Sequence, residues 1–351
     1  MSLLDALLAI VLACVLGYVV PWGFVAMLAP ALRTSERAFV TNYRGRQVFL
    51  GLGLAWLVWA GCAIIVGTVS VSAFPAVATA TVFTLAGPLA LVAFALGMVD
   101  DALGSSEARG FRGHLMALIN GRLTTGGLKL IGIGAASVVV SFVLSDISPW
   151  GAGWRGGIQV VFPALLAAAA ISLTSNFVNL TDLRPGRALK VYSVLALAGV
   201  ISVVLGLGPV AMRFVGVRSP LVELLVLSIM LLGPVLAVWR YDLGEEGMLG
   251  DAGANAMGVL AGMFIVAGLP LWALAVYAAV LLGLNLLSEH VSFSALIERT
   301  TLLAWLDSLG RLPLDPPIAE SPESPESSAQ VPTDVGAKRY HPREDHDSRE
   351  A

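Results

Sequence analysis

Three short acidic motifs sit at the ends of long apolar runs: Val99-Asp100-Asp101, Asn176-x-x-Asn179-x-x-Asp182 and Gly250-Asp251-x-Gly253. Carboxylates are costly within a bilayer and mark functional sites there. The adjacent Asp100 and Asp101 repel each other unless a cation neutralises them. Mg2+ is the usual cation where oxygen ligands meet phosphates. Steps of three residues place Asn176, Asn179 and Asp182 along one face of a helix. Amides at a membrane boundary need partners, which could be a sugar, a uracil, a phosphate or a neighbouring helix. Gly250 and Gly253 allow close backbone approach, and the helix N-terminus that follows offers N–H groups to an anion. Asp251 could hold a metal there or simply cap the helix. Lys129, Arg44 and Arg46 could each pair with a phosphate or snorkel at the boundary. His290, beside Glu289, could contact a phosphate, carry a proton or be a satisfied boundary histidine.

The elements that must position these residues are transmembrane helices. Of 351 residues, 57% are hydrophobic and 13% charged, the composition of a polytopic membrane protein, all-α in class. A span needs about 20 apolar residues. Nine stretches qualify, at roughly 3–30, 47–69, 75–99, 128–146, 157–178, 189–206, 220–239, 254–269 and 271–288. The first lacks a basic leader and a small-residue cleavage site, so it reads as a span rather than a removed signal. Alternate loops hold Arg33, Arg37, Arg44, Arg46, Arg109, Arg112, Arg122, Lys129, Arg184, Arg187, Lys190 and Arg240, and the opposite loops only Arg155, Arg213 and Arg218. The positive-inside rule then puts the N-terminus outside, the C-terminus in the cytoplasm, and all three acidic motifs on the cytoplasmic face.

Three regions follow from this reading: a membrane body over 1–290, an amphipathic interfacial segment over 291–311, and a tail over 312–351. In the segment Phe293, Leu296, Ile297, Leu303 and Leu306 recur near helical spacing, which suits a helix on the inner leaflet or one packed on the bundle. The tail is rich in Pro, Ser and Glu and reads as disordered. It holds nine acids and four bases, so it outweighs a remainder of about +2 and makes the formal charge of the chain −3. The bases are scattered over loops, which excludes a nucleic-acid footprint. Cys14 and Cys62 lie in apolar runs and read as buried thiols.

Together, and in this order, the motifs resemble the polyprenyl-phosphate N-acetylhexosamine-1-phosphate transferase family, which includes phospho-N-acetylmuramoyl-pentapeptide transferase. The resembling residues are GMVDD (97–101), Lys129, SNFVNLTDLRPG (175–186) and MLGDAGANAMG (248–258), with Asn42-Tyr43-Arg44-Gly45-Arg46 similar to the family's first cytoplasmic loop. The resemblance covers about residues 1–290. It implies a multi-pass cell-membrane enzyme with a cytoplasmic active site and Mg2+ as cofactor. Its partners would be a polyprenyl phosphate, a nucleotide sugar (UDP-linked), membrane lipid and, as a candidate, a second copy of the chain. It implies that Asp251, with Asp100 and Asp101, holds the metal. Asp100, Asp101, Asp182 and Asp251 would be the catalytic acids, and Lys129, Asn176, Asn179, Gly250, Gly253 and His290 would bind substrate.

The chain departs from the family pattern in three places. The second acid of the Asp-Gly-x-Asp-Gly motif is replaced in Asp182-Leu183-Arg184-Pro185-Gly186. The His-rich last loop is reduced to Ser288-Glu289-His290. An amphipathic segment and polar tail stand in place of a tenth span. A family member that no longer catalyses, and instead binds lipid carrier or envelope-assembly partners, is therefore a second reading. A secondary transporter ranks last, because such proteins place polar sites near the midplane and the span centres here carry no acid or base.

Overall fold

The computed structural model describes residues 2–73, 77–104, 110–151, 158–215 and 219–312. The chain divides into one unit ending at Leu312 and a second from Pro313. That second unit, where the disordered tail is expected, lies outside the described residues, as do Arg109, Arg155 and Arg218 and the side chains of Arg37, Arg112 and Arg213.

The first unit is a helical bundle. Its helices are α1 (Leu3–Cys14), α2 (Val20–Thr34), α3 (Leu54–Ala73), α4 (Val77–Leu103), α5 (Gly110–Ile119), α6 (Thr125–Leu144) and α7 (Val161–Thr181). They continue with α8 (Arg187–Val215), α9 (Pro220–Leu243), α10 (Gly250–Gly268), α11 (Leu271–Ser288), α12 (Phe293–Arg299) and α13 (Thr301–Ser308). A wide π turn at Val15–Val19 joins α1 and α2 into one rod. Among the described residues, eight helical stretches are long and apolar enough to cross a membrane, and α3 adds a shorter apolar stretch over Leu54–Val69. The protein is thus a multi-pass helical membrane bundle, and helices overlie all nine apolar stretches of the sequence.

The bundle is built around α10, whose residues from Ala252 to Gly268 are all buried. Its Gly and Ala positions let α4, α7 and α8 pack directly on its backbone, the small-residue solution to helix association in lipid. Gly253 meets Gly53 so closely that a Cβ on it would lie 2.8 Å from the Gly53 Cα. Polar groups in the core find main-chain partners. Pro234 in α9 has no N–H for the carbonyl of Met230 one turn earlier, and the Trp59 indole N–H donates to that carbonyl instead. The Tyr192 hydroxyl donates to the neighbouring Leu231 carbonyl at 3.0 Å.

The all-α expectation misses a small sheet. β1 (Phe39–Thr41) pairs antiparallel with β2 (Gln47–Leu50), with Phe39 opposite Phe49. β3 (Gly247–Met248) then runs parallel to β2, with Leu50 opposite Met248. The second apolar stretch, expected to begin its helix near residue 47, therefore starts as a strand. Its helix begins only at Leu54, after Gly51 with φ +147°. The hairpin turn is tied by Asn42, whose Oδ1 accepts the N–H groups of Arg44 (2.9 Å) and Arg46 (3.0 Å). This sheet holds the first loop against the loop that leads into α10, and so sets where Asp251 begins its helix.

Candidate active site

Asp251 lies in the first turn of α10, and three other elements reach it. From the end of α4, Asp101 turns both carboxylate oxygens onto the backbone: Oδ1 accepts the N–H of Asp251 (2.9 Å) and Oδ2 that of Ala252 (3.0 Å). Asp101 thus caps the start of α10 from a different helix, satisfying two donors left free by helix geometry. Gly250 makes this possible. Its φ is +68°, and a Cβ there would lie 2.6 Å from Asp101 Oδ2.

From the first turn of α6, the Lys129 ammonium donates to Asp100 Oδ2 at 2.8 Å and also to Asp251 Oδ2. The Lys129 and Asp100 side chains are 13% and 17% exposed, so this pairing is little screened by water. From α7, Asn179 Nδ2 donates to the other oxygen of Asp251 at 2.8 Å. Asn255, one turn along α10, donates to the Asp251 carbonyl at 2.7 Å and is itself met by the Ser175 hydroxyl at 3.2 Å. The three acidic motifs, some 70 to 150 residues apart in sequence, thus meet at one end of the bundle.

Asn176 belongs to a neighbouring contact. Its Nδ2 donates to Asn285 Oδ1 of α11 at 2.6 Å, and Asn285 donates in turn to the carbonyls of Leu173 and Leu281. This is the interhelical reading of the amide. Asp182 follows the end of α7 and makes no side-chain hydrogen bond among the described residues. Burial, together with the charges of Asp242, Asp251 and Asp101, pushes its carboxyl well above the usual carboxylate range. Asp242 is anchored nearby, accepting the Gly186 N–H at 2.6 Å. Both acids line a pocket whose wall also carries Asn42, Tyr43, Arg184 and Met248. Tyr43 lies between two guanidinium groups, with Arg44 Cζ 5.4 Å and Arg184 Cζ 4.9 Å from its ring centre. Glu245, at the back of this pocket with φ +52°, is held by Asn42, Arg44 and Arg46. His290 is exposed in the turn after α11, and no hydrogen bond of its ring is found among the described residues.

Asp242, Asn255 and Asn285 were not singled out from the sequence, and Glu245, which reads there as a solvated loop charge, is instead buried. The available signal was a lone polar residue within or at the end of an apolar run, most plainly Asn285 in Leu-Leu-Gly-Leu-Asn-Leu-Leu.

The donor set fits Mg2+ in one arrangement. Among the described residues, no three acidic, His or Cys side chains converge to hold a metal by themselves. Asp101 has both oxygens committed to the backbone. Asp100 and Asp251 nevertheless reach the same ammonium nitrogen, so both already converge on one positive charge. Mg2+ typically takes one or two carboxylates and completes its shell with water and substrate phosphates, which two such acids can supply. The match to a metal thus narrows from three acids to Asp100 and Asp251, with Asp101 as the residue that fixes Asp251. Comparison of the chain with protein-family models and with curated proteins gives no match.

Proposed function

We propose that this protein is a membrane phosphoglycosyltransferase that moves a sugar 1-phosphate from a UDP-sugar to a polyprenyl phosphate in cell-envelope glycan synthesis. In this reading the bundle has nine spans, an outside N-terminus and a cytoplasmic site. One observation carries the proposal: the Lys129 ammonium is shared by Asp100 and Asp251, with Asn179 on the remaining Asp251 oxygen. Three motifs that resemble those of one transferase family therefore build a single site at the bundle's end.

The chemistry is phosphoryl transfer. An oxygen of the polyprenyl phosphate attacks the β-phosphorus of the UDP-sugar, and the bond from that phosphorus to the UMP oxygen breaks. The products are a polyprenyl-diphosphate sugar and UMP. Such reactions depend on positioning and on neutralising phosphate charge. Asp100 and Asp251 would hold Mg2+, which when bound would supply that neutralisation. Lys129 adds a fixed positive charge beside the phosphates, and Asn179 and Asp101 hold the Asp251 carboxylate and backbone in place. Asp182, whose carboxyl is pushed well above the usual carboxylate range by burial and the neighbouring acids, lies where the site opens into the pocket with Tyr43 and Arg184. The departures at Pro185 and in the last loop leave the identity of the sugar to experiment.

The test is exchange of labelled UMP into UDP-sugars by the purified protein with polyprenyl phosphate and Mg2+. Exchange that disappears in Asp251→Asn and Asp100→Asn supports the proposal. No exchange across a panel of donors and lipid carriers favours the non-catalytic lipid-carrier reading.

A further inference from the structure

The helix α13 is turned the wrong way for a soluble surface. Its inward face is Ala304 and Asp307, and Arg311 joins them from the turn just beyond the helix. Asp307, with a side chain 10% exposed, accepts a two-pronged ion pair from the 4%-exposed Arg187 at 2.9 Å on each oxygen. Arg311 adds a bond to the same carboxylate and donates to the Pro185 carbonyl, and Lys190 donates to the carbonyls of Leu306 and Asp307. The outward face is apolar: Leu302 is 64% exposed and Trp305 57%, with Leu303, Leu306 and Leu309 about as open as the Leu296 side chain of α12. Single exposed leucines are ordinary, but a contiguous apolar face rimmed by polar groups marks an interaction surface.

Two spans fix the height of this face. Only residues 289–292 separate the end of α11 from the start of α12, so α12 cannot begin more than about 18 Å from the end of that span. At its far side Asp307 is bonded to Arg187, the first residue of α8. The apolar face also continues from exposed Leu286 and Leu287 on the last turn of α11. A tryptophan among leucines, with Arg299 at the end of α12, matches the residue types that settle at a lipid–water interface.

We propose that α12 and α13 lie in the lipid interface at the site's end of the bundle, with α13 placing Leu302, Trp305 and Leu309 in the lipid and Asp307 inward on Arg187. Because Arg187 and Arg311 flank the Asp182–Gly186 turn, the interfacial helix also fixes one wall of the pocket. This inference does not depend on the transferase reading.

Spin labels at Leu302→Cys and Leu309→Cys, in a Cys14→Ala, Cys62→Ala background of the full chain, test it in proteoliposomes. The expected result is collision with oxygen several-fold more effective, relative to a water-soluble nickel complex, than for a label at Arg299→Cys. As a second measurement, the fluorescence lost in Trp305→Phe reports Trp305 alone. That component should be quenched by phospholipids brominated along the acyl chain and spared by aqueous iodide. Accessibility to nickel or iodide overturns the proposal in favour of a water-facing helix. Immobile labels shielded from both reagents, or dipolar broadening between labels, overturn it in favour of a protein partner or a second copy.

Discussion

Asp101 Oδ1 accepts the backbone N–H of Asp251 at 2.9 Å, so one acid of the site positions the main chain of another. The two residues carry different duties although either could be read from sequence as a metal ligand. An acid whose oxygens both face N–H groups contributes through the geometry of its neighbour. Asp101→Ala should therefore lower stability by about 1–2 kcal/mol, the scale of a lost N-cap. Asp101→Asn keeps an acceptor and should retain part of that stability. Thermal unfolding of both variants in detergent, with and without Mg2+, checks this; equal stability of wild type and Asp101→Ala argues against a capping duty.

Lys129→Met leaves Asp100 and Asp251 facing each other without their shared cation. Removing one partner of such a part-buried set lowers stability, by less than the about 3–5 kcal/mol of a fully buried one. A ligand that binds only the folded state restores stability in proportion to its concentration over its dissociation constant. The variant should therefore unfold at lower temperature without Mg2+ and regain more stability than the wild type as Mg2+ is added. A variant whose unfolding is indifferent to Mg2+ speaks against a divalent cation between the two acids.

The raised pKa of Asp182 makes stability depend on pH in a defined direction. Well below the unfolded value of about 3.9, the carboxyl is protonated in both folded and unfolded chains and contributes no difference. As pH rises toward the folded value the unfolded chain releases its proton and the folded one does not, so the wild type loses stability. Asp182→Asn cannot titrate. Its stability relative to the wild type should therefore grow with pH in this window, as measured by denaturation at a series of pH values without divalent cations. A difference that stays flat with pH removes the charge crowding around Asp182.

Asp307 has the opposite sign. Burial alone would raise its carboxyl, but hydrogen bonds from Arg187 and the charges of Arg187, Arg311 and Lys190 hold it below the usual carboxylate range. Its contribution is present above the unfolded value of about 3.9 and is lost as pH falls through the folded value. A label at Leu309→Cys should be ordered at neutral pH and gain mobility in acid below about pH 4, and Asp307→Asn should show that mobility already at neutral pH. Unchanged order in Asp307→Asn means that the ion pair does not hold the helix.

The apolar helices were legible because runs near 20 residues have few alternatives in lipid, and the acids stood out because they end those runs. The sheet was not. β3 is two residues long, and its parallel pairing with β2 joins Phe49 to Gly247 across the chain, which no local pattern records. Residue type marked Asp101 as an acid but could not say that backbone N–H groups would claim both its oxygens. The spacing of Asn176, Asn179 and Asp182 suggested one helix face, but α7 ends at Thr181, before Asp182, and Asn176 turned to Asn285 while Asn179 turned to Asp251. The segment after α11 was legible as amphipathic, but only its packing shows that the acid side of α13 faces the protein and the leucine side faces out.

The central proposal is tested most directly by following the phosphorus that should move. Proteoliposomes holding the protein and polyprenyl phosphate are given UDP-sugars labelled at the β-phosphorus, with Mg2+. Label should pass into the organic phase as a lipid diphosphate sugar for at least one donor, depend on Mg2+, and vanish in Asp251→Asn. Label that stays in the water-soluble fraction for every donor, with the folded wild-type protein present, overturns the assignment as a transferase.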